Sequence, residues 1–197
     1  IVGLASFGKS TYEKKENSGI GSNGLTSARH DLLNNYYAKN FKESFDNSLS
    51  EDVVYIGKNR IADEPGLLSP TRTFAPLIKN ILENNFDKIY GLIHCSGGGQ
   101  TKCLKYIPEN VKVIKDNLFT PPPIFEKIRE ASKADSREMY QVFNMGCRME
   151  IYTDEDFAEN VVSLASSYNI DAQIIGRVEE AETKGLVIKL PGETLVF

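Results

Sequence analysis

The side chains that usually build metal and redox sites are scarce in this sequence. Its 197 residues include three cysteines and two histidines. Cys95, Cys103 and Cys147 are odd in number and lack C-x-x-C spacing, and only His30 and His94 could supplement them. That pattern argues against a structural zinc site or a dithiol redox motif, predicts no metal ligands here, and fits a reducing compartment. Basic charge is also short: 23 Lys and Arg stand against 27 Asp and Glu, a formal net charge of −4. A nucleic-acid or anionic-membrane surface needs clustered cations, so neither partner is expected, and any anionic ligand must be held locally. No apolar run approaches the roughly 18 residues of a membrane span, and no basic leader is present. The expectation is a cytoplasmic protein. The chain opens in mid-strand on Ile1-Val-Gly-Leu-Ala5, which reads as one domain of a longer polypeptide.

Apolar residues make up 41% of the chain, enough for one domain with a real core. Ile1–Ala5 reads as a short buried strand and the polar run Lys9–Asn17 as a mobile loop. Helical spacing of Leu25, Ala28, Leu32, Leu33 and Tyr36 predicts a helix after the turn Ser18-Gly-Ile-Gly-Ser-Asn-Gly24. Signals between 41 and 70 are weak, with a short strand at Val53–Ile56. A helix is predicted over Phe74–Phe86, where Pro76 sits in the first turn and needs no N–H partner. Strands follow at Lys88–His94, Val111–Ile114, Cys147–Tyr152, Ala172–Val178 and Leu186–Leu190. Helices are predicted near Thr101–Tyr106, Ile124–Ser132, Asp135–Phe143 and Asp154–Tyr168. No repeat or long linker divides the chain. The fold class is α+β: a mixed β-sheet with helices packed on it, in a three-layer α/β/α arrangement and a single domain over 1–197.

Gly3-Leu-Ala-Ser-Phe-Gly-Lys-Ser10 satisfies the P-loop pattern, yet Thr11–Asn17 has no apolar stripe to form the helix that a P-loop requires. The match is therefore spurious. The turn ending at Gly24 offers amides and a helix N-terminus to a phosphate or carboxylate, with Ser22 and Asn23 able to add side-chain hydrogen bonds or simply to cap the helix. His94 runs into Ser96-Gly97-Gly98-Gly99, where consecutive glycines let backbone approach a ligand at a strand end. His94 itself suits either a packed core position or an acid–base group. Thr71 and Arg72 precede a helix, so Arg72 could hold an anion in two-pronged fashion or lie in solvent. Asn144 and Gly146 stand at a helix-to-strand junction that both residues favour as a cap.

In order, Ser18–Gly24, Leu68-Ser-Pro-Thr-Arg72, Ile93-His-Cys-Ser-Gly-Gly-Gly99, Pro121-Pro-Pro-Ile-Phe125 and Glu138-Met-Tyr-Gln-Val-Phe-Asn-Met-Gly146 resemble aminoimidazole ribonucleotide synthetase. The likeness runs from the opening strand through Ile175-Ile-Gly-Arg-Val178 and corresponds to that family's C-terminal domain. It implies ATP-dependent ring closure of formylglycinamidine ribonucleotide in purine biosynthesis. The formyl oxygen is phosphorylated, an internal nitrogen attacks, and phosphate leaves. It also implies a homodimer when full length, with the ATP and Mg2+ ligands mainly on an N-terminal domain that this chain lacks, so that the fragment alone is inactive. The ribonucleotide is then the small-molecule partner. On this resemblance His94 is the catalytic candidate, while Ser22, Asn23, Gly24, Thr71, Arg72, Ser96, Gly97, Gly98, Gly99, Asn144 and Gly146 bind substrate or phosphate. Gly21 stands where the family turn usually carries His, and residues 7–17 look like an added loop. Related ATP-using enzymes for thiamine phosphate, selenophosphate and hydrogenase maturation resemble this fold, but their glycine loops differ. A ligand-binding module without chemistry is the alternative that the glycine at position 21 supports.

Overall fold

Val2–Ala5 (β1) is buried at all four positions, which requires cover on both faces of the strand. The computed structural model describes residues 1–21, 24–32, 55–56, 59–60 and 66–197. In it β1 pairs antiparallel with Cys147–Thr153 (β8) on one side and Ala172–Ile174 (β9) on the other. Ile89–His94 (β6) completes a four-stranded sheet in the order β6-β8-β1-β9. One face of this sheet is covered by two helices, Ala75–Asn85 (α2) and Glu155–Ser167 (α5). Leu77 and Ile81 of α2 and Ala158, Val161 and Ala165 of α5 pack with Val2, Leu4 and Ile151. Each of the Val, Leu and Ile side chains, removed from water, contributes about 1.5–3 kcal/mol.

The other face looks onto a second four-stranded sheet, Gly176–Glu180 (β10), Val111–Lys115 (β7), Gly185–Leu190 (β11) and Glu193–Val196 (β12), in the order β10-β7-β11-β12. Its β7–β11 pair is parallel and the others antiparallel, so the sheet is mixed as expected. Between the sheets, Ile1, Ala5, Ile93 and Cys147 meet Val113, Ile175, Leu186 and Ile188 in one core. That core extends to Leu25–Leu32 (α1), Pro123–Ser132 (α3) and Ser136–Val142 (α4) through Ala28, Ile128 and Met139. Asp135 caps α4 by accepting the Glu138 N–H at 2.8 Å. The remaining pairs are two short hairpins, Phe7–Gly8 (β2) with Asn17–Ser18 (β3) and Tyr55–Ile56 (β4) with Asn59–Arg60 (β5).

Three local expectations change. The single strand read over Ala172–Val178 is two strands, because the chain leaves the first sheet after Ile174 and enters the second at Gly176. Ile175 marks the corner: its N–H donates to the Ile1 carbonyl at 2.9 Å, and its own carbonyl accepts from Asp116 and Asn117 at 3.2 Å. The segment Lys9–Asn17, read as mobile, is tied down along its length. Thr11 N–H donates to the Tyr168 carbonyl at 2.9 Å, Tyr12 Oη to the Thr73 carbonyl at 2.8 Å, and Asn17 Nδ2 to the Pro70 carbonyl at 2.8 Å. The helix read near Thr101 is a 3-10 turn over Gly99–Lys105. Val53 and Val54 of the strand read at Val53–Ile56 lie outside the described residues. The P-loop match dissolves as argued, since Gly3 is inside β1 and Gly8 inside a hairpin rather than before a helix.

Candidate functional site

The junction between α4 and β8 holds the two glycine turns together. Asn144 is fully buried, and its amide donates to the Gly19 carbonyl at 2.9 Å and to that of Ile20 at 3.4 Å. Its Oδ1 accepts the Gly146 N–H at 2.9 Å, which fixes the left-handed step through Met145 (φ 49°) and Gly146 (φ 99°). The same junction is bound from the other side by Gln100, whose Nε2 donates to the carbonyls of Asn144 at 2.5 Å and Cys147 at 2.9 Å. Gly97, Gly98 and Gly99 all have positive φ, at 47°, 109° and 49°, a path that only glycine follows three times in succession. A methyl at Gly99 would stand 2.6 Å from the Tyr140 carbonyl. The ring of Phe143 lies against Gly24, leaving no room for a side chain there. Asn144, Gly146, Gly24 and Gly99 are thus brought together around the end of α4. Ser22 and Asn23 lie outside the described residues.

His94 ends β6 and is half-buried. It shares a cavity of about 380 Å³ with Thr71, Arg72, Phe74 and Met149, so the sequence-based grouping of His94 with Thr71 and Arg72 is a spatial one. Burial lowers the His94 pKa from its ordinary 6.5, and the positive charges of Arg148 and Lys102 lower it further. A neutral imidazole at neutral pH accepts or relays a proton readily. Lys102 is held beside the glycine run by donating from Nζ to the Ser96 carbonyl at 2.8 Å.

Arg72 lines this cavity yet is itself buried, with 3% of its surface exposed, and its guanidinium is already engaged. Nε donates to Glu13 Oε2 at 3.1 Å, Nη2 lies 3.0 Å from the same oxygen, and Nη1 donates to the carbonyls of Ala5, at 3.1 Å, and Phe7. It pins the 9–17 loop to the first sheet.

Sequence reasoning missed a buried polar network behind His94. Lys115 and Glu150 form an ion pair from which water is excluded at both side chains. Lys115 Nζ also donates to the Gln100 carbonyl at 2.6 Å and to Gln100 Oε1 at 3.2 Å. Glu150 accepts from Cys95 Sγ at 3.2 Å and from Tyr152 Oη at 2.8 Å. Burial alone would lower the Lys115 pKa, but Glu150 and the neighbouring thiols hold it well above its ordinary value. Burial, reinforced by the Glu150 charge, pushes the Tyr152 hydroxyl up. Arg148, on the same strand, is likewise buried. The available signal was a run of alternating apolar and charged residues in Cys147–Tyr152, which suggests a solvent face. β8 is an inner strand, so its charged positions point into the protein instead.

Three comparisons bear on this arrangement. A family model described as "AIR synthase related protein, C-terminal domain" matches residues 1–189. The chain is 36% identical over 175 residues to a phosphoribosylformylglycinamidine cyclo-ligase of Methanopyrus kandleri, covering 89% of this chain and 45% of that protein. A protein of the same name from Methanocaldococcus jannaschii is 35% identical, with 83% and 43% covered. One from Pseudothermotoga lettingae is 30% identical, with 95% and 48% covered. The chain therefore spans less than half the length of these relatives. Among solved structures, E. coli HypE, a hydrogenase maturation protein, superposes with a TM-score of 0.45 at 18% identity over 90% of this chain and 47% of that one, a likeness that carries no functional argument.

Proposed function

Because the chain belongs to the AIR synthase related family through its C-terminal domain, we propose that it is the substrate-side half of a phosphoribosylformylglycinamidine cyclo-ligase. The observation that carries this reading is the identity of 30–36% over most of the chain with proteins of that name. The geometry supports it: two glycine turns meet at Asn144, and His94, half-buried and with its pKa lowered first by that burial, stands at the end of one of them.

In this reading the formyl oxygen of the ribonucleotide is phosphorylated by ATP, the amidine nitrogen closes the ring by forming a C–N bond, and inorganic phosphate departs. The amides of the two turns and the N-terminus of α1 hold phosphate oxygens. Gly24, Gly97, Gly98 and Gly99 supply close backbone approach, Ser22, Asn23 and Ser96 supply hydroxyl and amide groups, and Thr71 faces the reacting end. Asn144 and Gly146 keep the two turns in register. His94, neutral at pH 7, accepts the proton lost by the attacking nitrogen. Arg72 shapes the cavity wall. Among the described residues no three His, Cys, Asp or Glu side chains gather as a cation site. On the resemblance to the cyclo-ligases, the Mg2+ that accompanies ATP is assigned to an N-terminal domain of the full-length polypeptide, a cytoplasmic homodimer.

The test is ATP-dependent formation of the aminoimidazole ribonucleotide by the full-length protein. His94→Ala is expected to lower kcat about 10²–10⁴-fold, the usual weight of a positioned acid–base group. Unchanged kcat would remove His94 from the chemistry. No turnover by the wild-type protein would favour the second reading, a ligand-binding module, for which the glycine at position 21 is the supporting observation.

A further inference from the structure

Arg148 is the most unusual side chain in the interior. It is 1% exposed, and among the described residues no carboxylate pairs with it. One of its nitrogens, Nη2, donates to the Ile20 carbonyl at 2.7 Å, whereas Nε and Nη1 are buried with no hydrogen-bond partner. A guanidinium carries five donors in a rigid planar fork, and unpaired donors in a dry interior are costly enough that each one calls for an explanation.

Two further observations say where this side chain belongs. The β1–β8 register runs Leu4↔Met149 and then Ala5↔Cys147, so Arg148 is the extra residue of a β-bulge. Bulges concentrate beside functional sites because they re-aim a side chain. Second, the guanidinium lies where a side chain at position 21 would project. A methyl at Gly21 (φ 60°) would stand 2.6 Å from Cζ and closer still to Nη2. The glycine at 21 therefore makes room for Arg148. His94, whose register partner on β8 is the neighbouring Met149, feels its charge.

We propose that Arg148 is a phosphate-binding residue of this site, its unpartnered Nε–H, on the edge it shares with Nη2, receiving an oxygen of a phosphate monoester seated between residues 19–21 and the His94 strand end. Unpaired donors on an unneutralised cation select a dianion over a sugar hydroxyl. Only the identity of the ligand, a sugar phosphate, rests on the cyclo-ligase reading. The anion chemistry rests on Arg148 itself.

The experiment is an NMR titration of the wild-type chain that follows the Arg148 Nε–H signal, assigned by its loss in Arg148→Lys. Inorganic phosphate, ribose 5-phosphate and ribose are added separately, and calorimetry is run in parallel. Both phosphates are expected to shift the signal and ribose to leave it in place. Arg148→Met is expected to weaken ribose 5-phosphate binding at least tenfold, and Arg148→Lys less. An unmoved Nε–H signal at saturating phosphate overturns the proposal, as does equal affinity of the Met variant. The two readings fail separately. Phosphate on Arg148 with no ring closure by the full-length protein keeps the anion site and removes the cyclo-ligase. Ring closure by full-length Arg148→Met with unchanged KM does the reverse.

Discussion

Lys115 and Arg148 are both buried cations lying close to β8, and they are provided for in different ways. Lys115 has a carboxylate and two oxygens of Gln100 around its ammonium group, and its partner Glu150 receives two further donors. Arg148 has one carbonyl oxygen for five N–H donors and no counter-charge among the described residues. The first arrangement is complete within the fold and joins β7 of one sheet to β8 of the other. The second is complete only when something from outside the described residues brings negative charge. Complete satisfaction marks a structural bolt, and partial satisfaction at a bulge beside a glycine turn marks a site.

The largest way to break this contrast is to remove one half of the bolt. Lys115→Met leaves Glu150 buried without a counter-charge, and the expected loss is about 3–5 kcal/mol in urea unfolding. Lys115→Met with Glu150→Leu should recover most of that loss, because a matched apolar pair avoids the desolvation of both charges. A double variant as unstable as the single one would show that the network matters through Gln100, Cys95 and Tyr152 rather than through the pair.

Next in size is the collision between Gly21 and Arg148. Gly21→Ala places a methyl in the guanidinium on a backbone with positive φ, and a destabilisation of about 2–3 kcal/mol is expected from overpacking together with the left-handed conformation. Gly21→Ala in an Arg148→Ala background retains only the backbone part. The double-mutant cycle should therefore give a coupling of about 1–2 kcal/mol, within the range seen for residues in contact. Additive effects would separate the two residues and with them the idea that one makes room for the other.

How much of this could be read from the sequence depends on how local its cause is. Glycine turns were legible because no other residue follows Gly97–Gly99, and α4 was legible because Asp135 and Glu138 form a short-range cap. The helices on the first sheet followed from apolar spacing. The division into two sheets was not, because Ala172–Val178 keeps strand character on both sides of Ile175 and only the pairing partners change. The tethered loop escaped for the same reason: Glu13 looks like a solvent residue until Arg72 arrives from 59 positions away. At the site, the sequence pointed to His94 and both glycine turns. It gave Arg72 the guanidinium role, whereas the structure engages Arg72 with Glu13 and leaves Arg148 with free donors. Alternation along β8 carried charge at 148 and 150, and nothing nearby in the chain says that this strand is an inner one.

The smallest expected effect is also the most specific to charge. Among the groups found to shift His94, Arg148 comes from β8 and Lys102 from the 3-10 turn after the glycine run, and both act beyond burial to favour the neutral ring. A base whose folded pKa lies below its ordinary 6.5 leaves the folded state binding fewer protons than the unfolded chain as pH falls through that region. Stability linked to His94 is accordingly complete above about pH 6.5 and declines as pH drops from there toward the folded value. Arg148→Met removes one of the two cations, so the His94 pKa should rise toward 6.5 and the acid-side loss of stability should shrink. Proton NMR titration of the imidazole, with urea unfolding at pH 7.5 and 5.5, measures both. Phosphate added to the wild-type chain should move the His94 pKa in the same direction, since a bound dianion offsets the guanidinium charge, and should have less effect on Arg148→Met. If the His94 pKa is the same in both proteins, Arg148 is electrostatically silent at His94, and the unpaired guanidinium has no part in tuning that residue.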